Sequence, residues 1–342
     1  MKRSVPVLLA GLLLTASGAL AQSGPSFDCA KATSEVEKTI CRHRLLGEAD
    51  RKMAGAYAAL HGTLSGAARD HLATDQVRWL AATPRTCVDS HRVVLPKSEV
   101  EEAVRDCVRD RLAARADLLA GLPTGAGYPF IAEQGLVEFG RVGEIAYRFV
   151  ASWPRFEAPG IDYRGANARA ADGPRREIAE SKPPDDVSPV MGARWSYDSS
   201  HAVTFPVPGV ANVAIRMDAY LGGSRGIANE SAMLVDLASG RLLGLDDVLD
   251  GDWLGLATAL CIADLRGQIP ASDPDEPGLT DAGMRKLLVD AAIWMFRDTG
   301  VSVFFNRYTV APGAAGSFSV DLTWDQLKPV IRRDGPLGSR AR

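Results

Sequence analysis

Histidine is scarce in this chain, and its placement excludes several chemistries. The five histidines are His43, His61, His71, His91 and His201, and none follows His201. They lack zinc-ligand spacing, so no metal centre is expected. Gly222-Gly223-Ser224-Arg225-Gly226 formally matches a nucleophile elbow, but that motif needs a following helix and then Asp and His in chain order. No histidine remains to supply the base, and the segment reads as a glycine-rich hairpin turn. Phosphate-cradling glycine loops are also missing. Asp246-Asp247 reads as a cap of the following segment, not as acid–base machinery. The chain is expected to be no enzyme and to hold no cofactor.

Neither sign of charge dominates. The formal net charge is −3, and loss of residues 1–21, which hold Lys2 and Arg3 but no acid, takes it to −5. With no basic patch, nucleic acid is not an expected partner. Long apolar runs are missing after the N-terminus, where none approaches the roughly 20 residues of a bilayer span. The N-terminal run itself reads as a secretory leader: Lys2 and Arg3, an apolar stretch from Val5 to Ala16, and Ala19-Leu20-Ala21 as the cleavage site. No lipobox is visible, because Cys29 follows Ser26-Phe27-Asp28. The expectation is a soluble protein, periplasmic or secreted, cleaved near Ala21 and free of membrane spans thereafter.

Cysteine is sparse but concentrated. Cys29, Cys41, Cys87 and Cys107 lie in the first third of the chain, and in an oxidising compartment they form a disulfide framework. A helical hairpin brings Cys87 to Cys107 and leaves Cys29 with Cys41; the crossed pairing, Cys29–Cys87 with Cys41–Cys107, stays open. Cys261, among Leu256, Leu260 and Leu265, reads as a buried free thiol.

What is present up to residue 122 is helical periodicity. Ser34-Glu35-Val36-Glu37 is a capping box. Leu46, Ala49, Met53, Ala56, Leu60 and Leu64 mark one helix face, and Leu72, Gln76 and Trp79 a second, on a helix that Pro84 is expected to end. Val100, Val104, Val108, Leu112 and Leu119 line the last, stopped by Gly121 and Pro123. The Arg, Asp and Glu between them read as solvated faces. This all-α module spans 22–122, with 123–141 as linker and lead-in. Beyond it, strands are expected over 142–151, 193–206, 210–221, 233–237, 301–310 and 317–322. Helices are expected over 161–180, 252–267, 280–296 and 324–331, and 333–342 as a flexible tail. Phe304, Phe305, Tyr308 and Trp324 read as core and sheet packing. Grouped strands argue for an α+β domain over 142–332, with a mostly antiparallel sheet and flanking helices.

Two resemblances follow. The Phe27-Asp28-Cys29-Ala30-Lys31-Ala32 start, Glu37-x-x-Ile40-Cys41, Tyr57, Gln76-x-x-Trp79-Leu80 and Arg85-x-Cys87 with Cys107 resemble the lysozyme inhibitor LprI N-terminal domain over 27–120. Ala81-Ala82-Thr83-Pro84 lengthens the usual gap, and the family's type member is a lipoprotein. Tyr220-Leu221-Gly222-Gly223-Ser224-Arg225-Gly226, Val235-Asp236-Leu237 through Asp246-Asp247-Val248, and Val303 to Pro312 are similar to an RsiV-type C-terminal domain over 142–332. Here Gly222-Gly223-Ser224-Arg225 replaces Gly-Gly-Ala-His, and Gly313 stands where an aromatic is usual. RsiV is a membrane anti-sigma factor whose outer domain binds lysozyme; this chain lacks the span for that signalling.

Together the resemblances imply an exported envelope protein that binds a lysozyme-like protein and inhibits it. A cell-wall hydrolase or accessory domain, and a structural envelope module with no enzyme partner, are the rival classes. The expected contact is the turn with Tyr220, Gly222, Gly223 and Ser224, in which Arg225 is the charged donor.

Overall fold

Ser34 opens the first helix through a reciprocal cap: Glu37 N donates to Ser34 Oγ at 3.1 Å, and Ser34 N donates to Glu37 Oε2 at 2.8 Å. The computed structural model describes residues 24–125, 128–185, 194–269 and 277–342, and the expected leader lies outside them. Five helices form the first module: α1 (Glu35–Arg42), α2 (Arg44–Thr63), α3 (Gly66–Pro84), α4 (Ser90–Val94) and α5 (Lys97–Gly121). Leu46, Met53, Trp79, Val104, Val108 and Leu112 fill their common core.

Pro84 does not end the helical path. Arg85–Asp89 forms a π-turn that carries the chain from α3 into α4. Proline lacks the N–H of the regular ladder, and hydroxyls take over the carbonyls nearby. Thr83, Thr86 and Ser90 donate to the carbonyls of Trp79, Ala82 and Thr86 at 2.9, 3.0 and 2.5 Å. The wide turn carries Cys87, fully buried, to its partner on α5. The bonds are Cys29–Cys41 and Cys87–Cys107, with Cα–Cα distances of 5.8 and 5.5 Å, so the sequential pairing holds and the crossed one does not. Cys261 is free and buried, and burial raises its thiol pKa to about 12.

The charged residues of the module are not all solvated. Arg115 is 1 % exposed and Asp75 2 %. Arg115 donates to Asp75 Oδ2 at 2.7 Å and to Gln76 Oε1 at 3.1 Å. Burial raises the Asp75 carboxyl pKa against the opposing pull of Arg115.

A six-stranded sheet follows, ordered β1 (Phe130–Val142), β2 (Ile145–Glu157), β3 (Arg194–Val207), β4 (Val210–Tyr220), β5 (Ile227–Asp236) and β6 (Leu242–Leu243). Among the described strands only β2 and β3 pair in parallel, and α6 (Arg164–Glu180) lies between them in the chain. The stretch expected as a lead-in thus supplies β1, paired with β2 from Phe130↔Glu157 to Val142↔Ile145. Phe130 and Ala132 bury themselves against Leu60, Leu72 and Leu119, so the helices and the sheet share an apolar seam. The other core of this sheet holds Phe149, Tyr197, Val213 and Val235 with Ala166 and Ile178 of α6.

Past β6 come α7 (Leu245–Val248), α8 (Trp253–Gln268) and α9 (Asp281–Leu288). A second sheet is ordered β7 (Trp294–Phe296), β8 (Gly300–Phe305) and β9 (Phe318–Thr323), followed by α10 (Trp324–Leu327). Asp247 caps α7, accepting from Gly244 N at 2.7 Å and from both Arg241 terminal nitrogens at 2.9 Å. The helix expected to run to Phe296 stops at Leu288. Asp290 Oδ1 accepts from Ala292 N at 2.9 Å, turning the chain, and the buried Trp294 indole donates to Leu288 O at 2.9 Å. The sheets are joined by Asn212, fully buried, whose Oδ1 accepts from Phe296 N at 3.1 Å. The chain end packs as well: Leu337 is buried, and Arg340 donates to Pro206 O at 2.5 Å with its guanidinium over Trp324. The architecture is α+β. No helix among the described residues is long and apolar enough to cross a membrane.

Candidate functional site

The turn that joins β4 to β5 leaves the sheet after the Ala219↔Ile227 pair. Its conformation depends on Gly222, whose φ is +79°. A Cβ there would stand 2.5 Å from the Trp195 Nε1 beneath it. Glycine is needed on both counts, the left-handed backbone and the close approach. Trp195 on β3 therefore supports one side of the turn. On the other, Arg307 Nη1 reaches Gly226 O at 3.5 Å. Gly223, Ser224 and Arg225 are exposed at the tip, and Tyr220 is half-buried at its base. The residues after Gly226 continue as β5, so the elbow arrangement of strand, turn and helix is not formed.

Arg225 borders an open depression with Ser196, Tyr220, Ile227 and Arg307. The two acids beside it are already engaged, Asp218 by Arg216 at 3.0 Å and Asp198 by Arg148 at 2.9 Å. Among the described residues, neither Arg225 nor Arg307 enters an ion pair.

The segment after β8 adds a residue that the sequence misplaces. Phe305 is buried as expected, yet Tyr308, read as core packing, is 76 % exposed. Asn306 explains the change. Its Oδ1 accepts from Glu230 N at 2.9 Å and its Nδ2 donates to Glu230 O at 3.0 Å, so its amide docks on the β5 backbone and ends the strand. Tyr308 then sits in the following turn with φ +70°, the one non-glycine residue at positive φ among those described. Its ring lies where a Cβ on Gly313 would be 2.0 Å away. Such backbone strain is held in place by its surroundings and is common at contact sites. Asn306 after an aromatic strand was the available signal, since Asn favours turns. Exposed Arg225, Ile227 and Tyr308, with half-buried Arg307, thus come from two segments in contact, and aromatic residues and arginine are enriched at protein interfaces.

One polar pair has the outline of a nucleophile and base. Ser152 Oγ and His201 Nδ1 lie 3.0 Å apart, while His201 Nε2 is closed off from solvent with no partner among the described residues. Burial, helped by the Arg115 charge, depresses the His201 pKa to about 4. A base that weak is poorly matched to activating serine near neutral pH, and no carboxylate orients the ring through Nε2. The pair has a stability consequence instead. The folded pKa lies below the unfolded value of about 6.5, so the contribution is complete above pH ~6.5 and is lost as pH falls toward 4. Allowing for a partly exposed ring, the loss is about 2 kcal/mol. Urea unfolding at neutral pH and near pH 4.5 is expected to show that fall in the parent and a smaller one in His201→Gln. Equal falls would refute the assignment. Among the described residues no group of three or more His, Cys, Asp or Glu is placed to hold a metal.

Comparison with known proteins matches one module. Residues 29–119 fit the family described as lysozyme inhibitor LprI, nearly the whole of the helical bundle. No curated protein matches the chain. A DUF3298 family member from Bacteroides fragilis is 14 % identical, covering 62 % of this chain and 96 % of its own at a TM-score of 0.43. A DUF3298 family protein from Pseudomonas aeruginosa is 15 % identical, covering 59 % and 94 % at a TM-score of 0.37. Likeness at that level carries no functional argument.

Proposed function

We propose that this chain is an exported protein that binds a lysozyme-like muramidase and inhibits it. The observation that carries the reading is the match of residues 29–119 to the lysozyme inhibitor LprI family. A periplasmic or secreted location accords with the two disulfides.

The inhibitory contact we assign to the β4–β5 turn. A retaining muramidase cleaves with two carboxyl groups set in a cleft. A firmly held turn that carries an unpaired guanidinium can enter such a cleft and offer donors to those carboxylates. Gly222 over Trp195 sets the shape of the turn, Ser224 supplies a hydroxyl, and Arg225 supplies the charge. Tyr308 and Ile227 would rest on the rim of the cleft, where their exposed apolar area is covered on binding.

Arg225→Ala is expected to weaken binding about tenfold to a hundredfold, the loss of one charge-assisted bond against a desolvated carboxylate. Thermal stability should change by less than about 1 kcal/mol, because the side chain is exposed. The helical module offers the competing surface: Val77 and Leu80 lie three residues apart on α3, 67 % and 50 % exposed. Calorimetric titration of Arg225→Ala and Val77→Asp with a lysozyme at fixed ionic strength separates the two. Loss with Arg225→Ala alone supports the turn. Loss with Val77→Asp alone moves the contact to α3 and refutes the turn.

A further inference from the structure

A cleft of about 610 Å³ runs along the seam between the helical module and the first sheet. Its size is that of a small-molecule site. Trp79, Ala82 and Ala103 line it from the helices, and Val137 and Val150 from the sheet, so its body is apolar. Three arginines line it: Arg78 of α3 is exposed, whereas Arg111 from α5 and Arg148 from β2 are half-buried.

Their situations differ from that of Arg115 one turn along α5. Arg115 is held by Asp75 and Gln76. The Arg111 side chain is 19 % exposed and its nearest carboxylate, Glu133, stands 3.9 Å away, beyond a hydrogen bond. Arg111 Nε is shut off from water with no partner among the described residues, and the guanidinium lies over the Trp79 ring at 5.1 Å. Burial, together with the charges of Arg115 and Arg148, pushes its pKa down, and Glu133 alone opposes them. Arg148 uses Nη1 on Asp198 at 2.9 Å and Nε on Ser90 Oγ at 3.1 Å.

Of the five acids lining the cleft, three are engaged outside it, Asp198 pairs with Arg148, and Glu133 faces Arg111 without a hydrogen bond. Asp106 pairs with Arg105 and Arg109, Asp110 with Arg109, and Asp218 with Arg216. The unmet demand in the cleft is therefore for an acceptor at Arg111. A buried guanidinium without a hydrogen-bonded acceptor is costly, and a bound anion would supply it.

We propose that this seam is a binding site for a small monocarboxylate with an apolar body, its carboxylate on Arg111 and its body against Trp79, Val137 and Val150. The negative charges of Glu133, which faces Arg111, and of Asp198 disfavour a dianion, which sets a carboxylate apart from phosphate. The cleft adjoins the depression beside the β4–β5 turn, sharing Asp198 and Asp218 with it, but Arg111, Trp79, Val137 and Val150 line the cleft alone, so substitutions at Arg111 and at Arg225 read ligand binding and muramidase inhibition separately.

Titration calorimetry of the full mature chain with sodium hexanoate tests the site, with hexan-1-ol and inorganic phosphate as controls. Hexanoate is expected to bind at one site, and both controls about tenfold more weakly or worse. Arg111→Gln should lower hexanoate affinity by about tenfold while keeping the parent's far-ultraviolet spectrum. Ala82→Phe, at an exposed helix position on the cleft wall, should block the site without disturbing the bundle. Failure of hexanoate to bind would overturn the proposal. Equal binding of hexanol or phosphate would overturn it too, as would undiminished affinity in folded Arg111→Gln or Ala82→Phe.

Discussion

Arg115→Ala is expected to lower the unfolding free energy by about 3–5 kcal/mol, the usual cost of breaking a buried ion pair from one side. The Asp75 side chain is 3 % exposed and would lose its ion-pair partner, while Gln76 Oε1 would lose a donor. The guanidinium also covers Trp79 from 5.7 Å, so packing is lost with the charge. The cost should shrink in acid, because burial already raises the Asp75 pKa and a protonated Asp75 no longer needs a countercharge. Asp75→Leu combined with Arg115→Met should come within about 2 kcal/mol of the parent, since apolar isosteres often replace such pairs without penalty. Among the described residues the pair leaves Arg115 Nη1 without a hydrogen-bond partner, which favours that outcome. Urea unfolding of the three proteins decides the matter; a single-variant loss under about 1 kcal/mol would mean that the pair is not closed off from water.

Removing the Cys87–Cys107 bond, as Cys87→Ala with Cys107→Ala, is expected to cost about 3 kcal/mol. The bond closes a loop of sequence separation 20 and ties the π-turn to α5. Its Cys87 end is fully buried beside Val88 and Val104, so shortening the side chain also leaves a small void there. The Cys29–Cys41 bond closes a separation of 12 and ends in a short turn with no buried residue. Its removal should therefore cost less, about 2 kcal/mol. Differential scanning calorimetry of the two double variants checks the order. Equal or reversed losses would show that loop closure and burial do not govern these bonds.

The helical module was legible where local chemistry and packing agree. Ser34 and Glu37 announce their cap, and the spacing from Leu46 to Leu60 marks the face that α2 buries. Pro84 misleads because the hydroxyls that sustain the helix beyond it are tertiary detail in a local disguise: Thr83, Thr86 and Ser90 look like ordinary polar residues until their carbonyl partners are seen. Arg115 and Asp75 lie 40 residues apart, so no window on the sequence pairs them. The strand β1 was hidden by its glycines, Gly135 and Gly140, which weaken strand patterns although the register with β2 is continuous.

At the candidate site, the turn itself was visible in the run of glycines, but its supports were not. Trp195 reaches Gly222 from a neighbouring strand, and Arg307 approaches Gly226 from 81 residues away. Tyr308 was missed because aromatic and apolar residues around it suggest a continuous strand, whereas the Asn306 contact to Glu230 turns the chain outward. The seam cleft left no sequence signal, since its walls come from helices and strands that meet only in the folded chain.

The central claim is that this protein captures a lysozyme-like muramidase. The most direct test is to titrate the mature full chain into representatives of several lysozyme classes and to follow complex formation and residual lytic activity together. The account predicts a one-to-one complex with at least one class, and lytic activity that falls in step with the complex. Absence of a complex with every class, or a complex whose enzyme stays fully lytic, would contradict it.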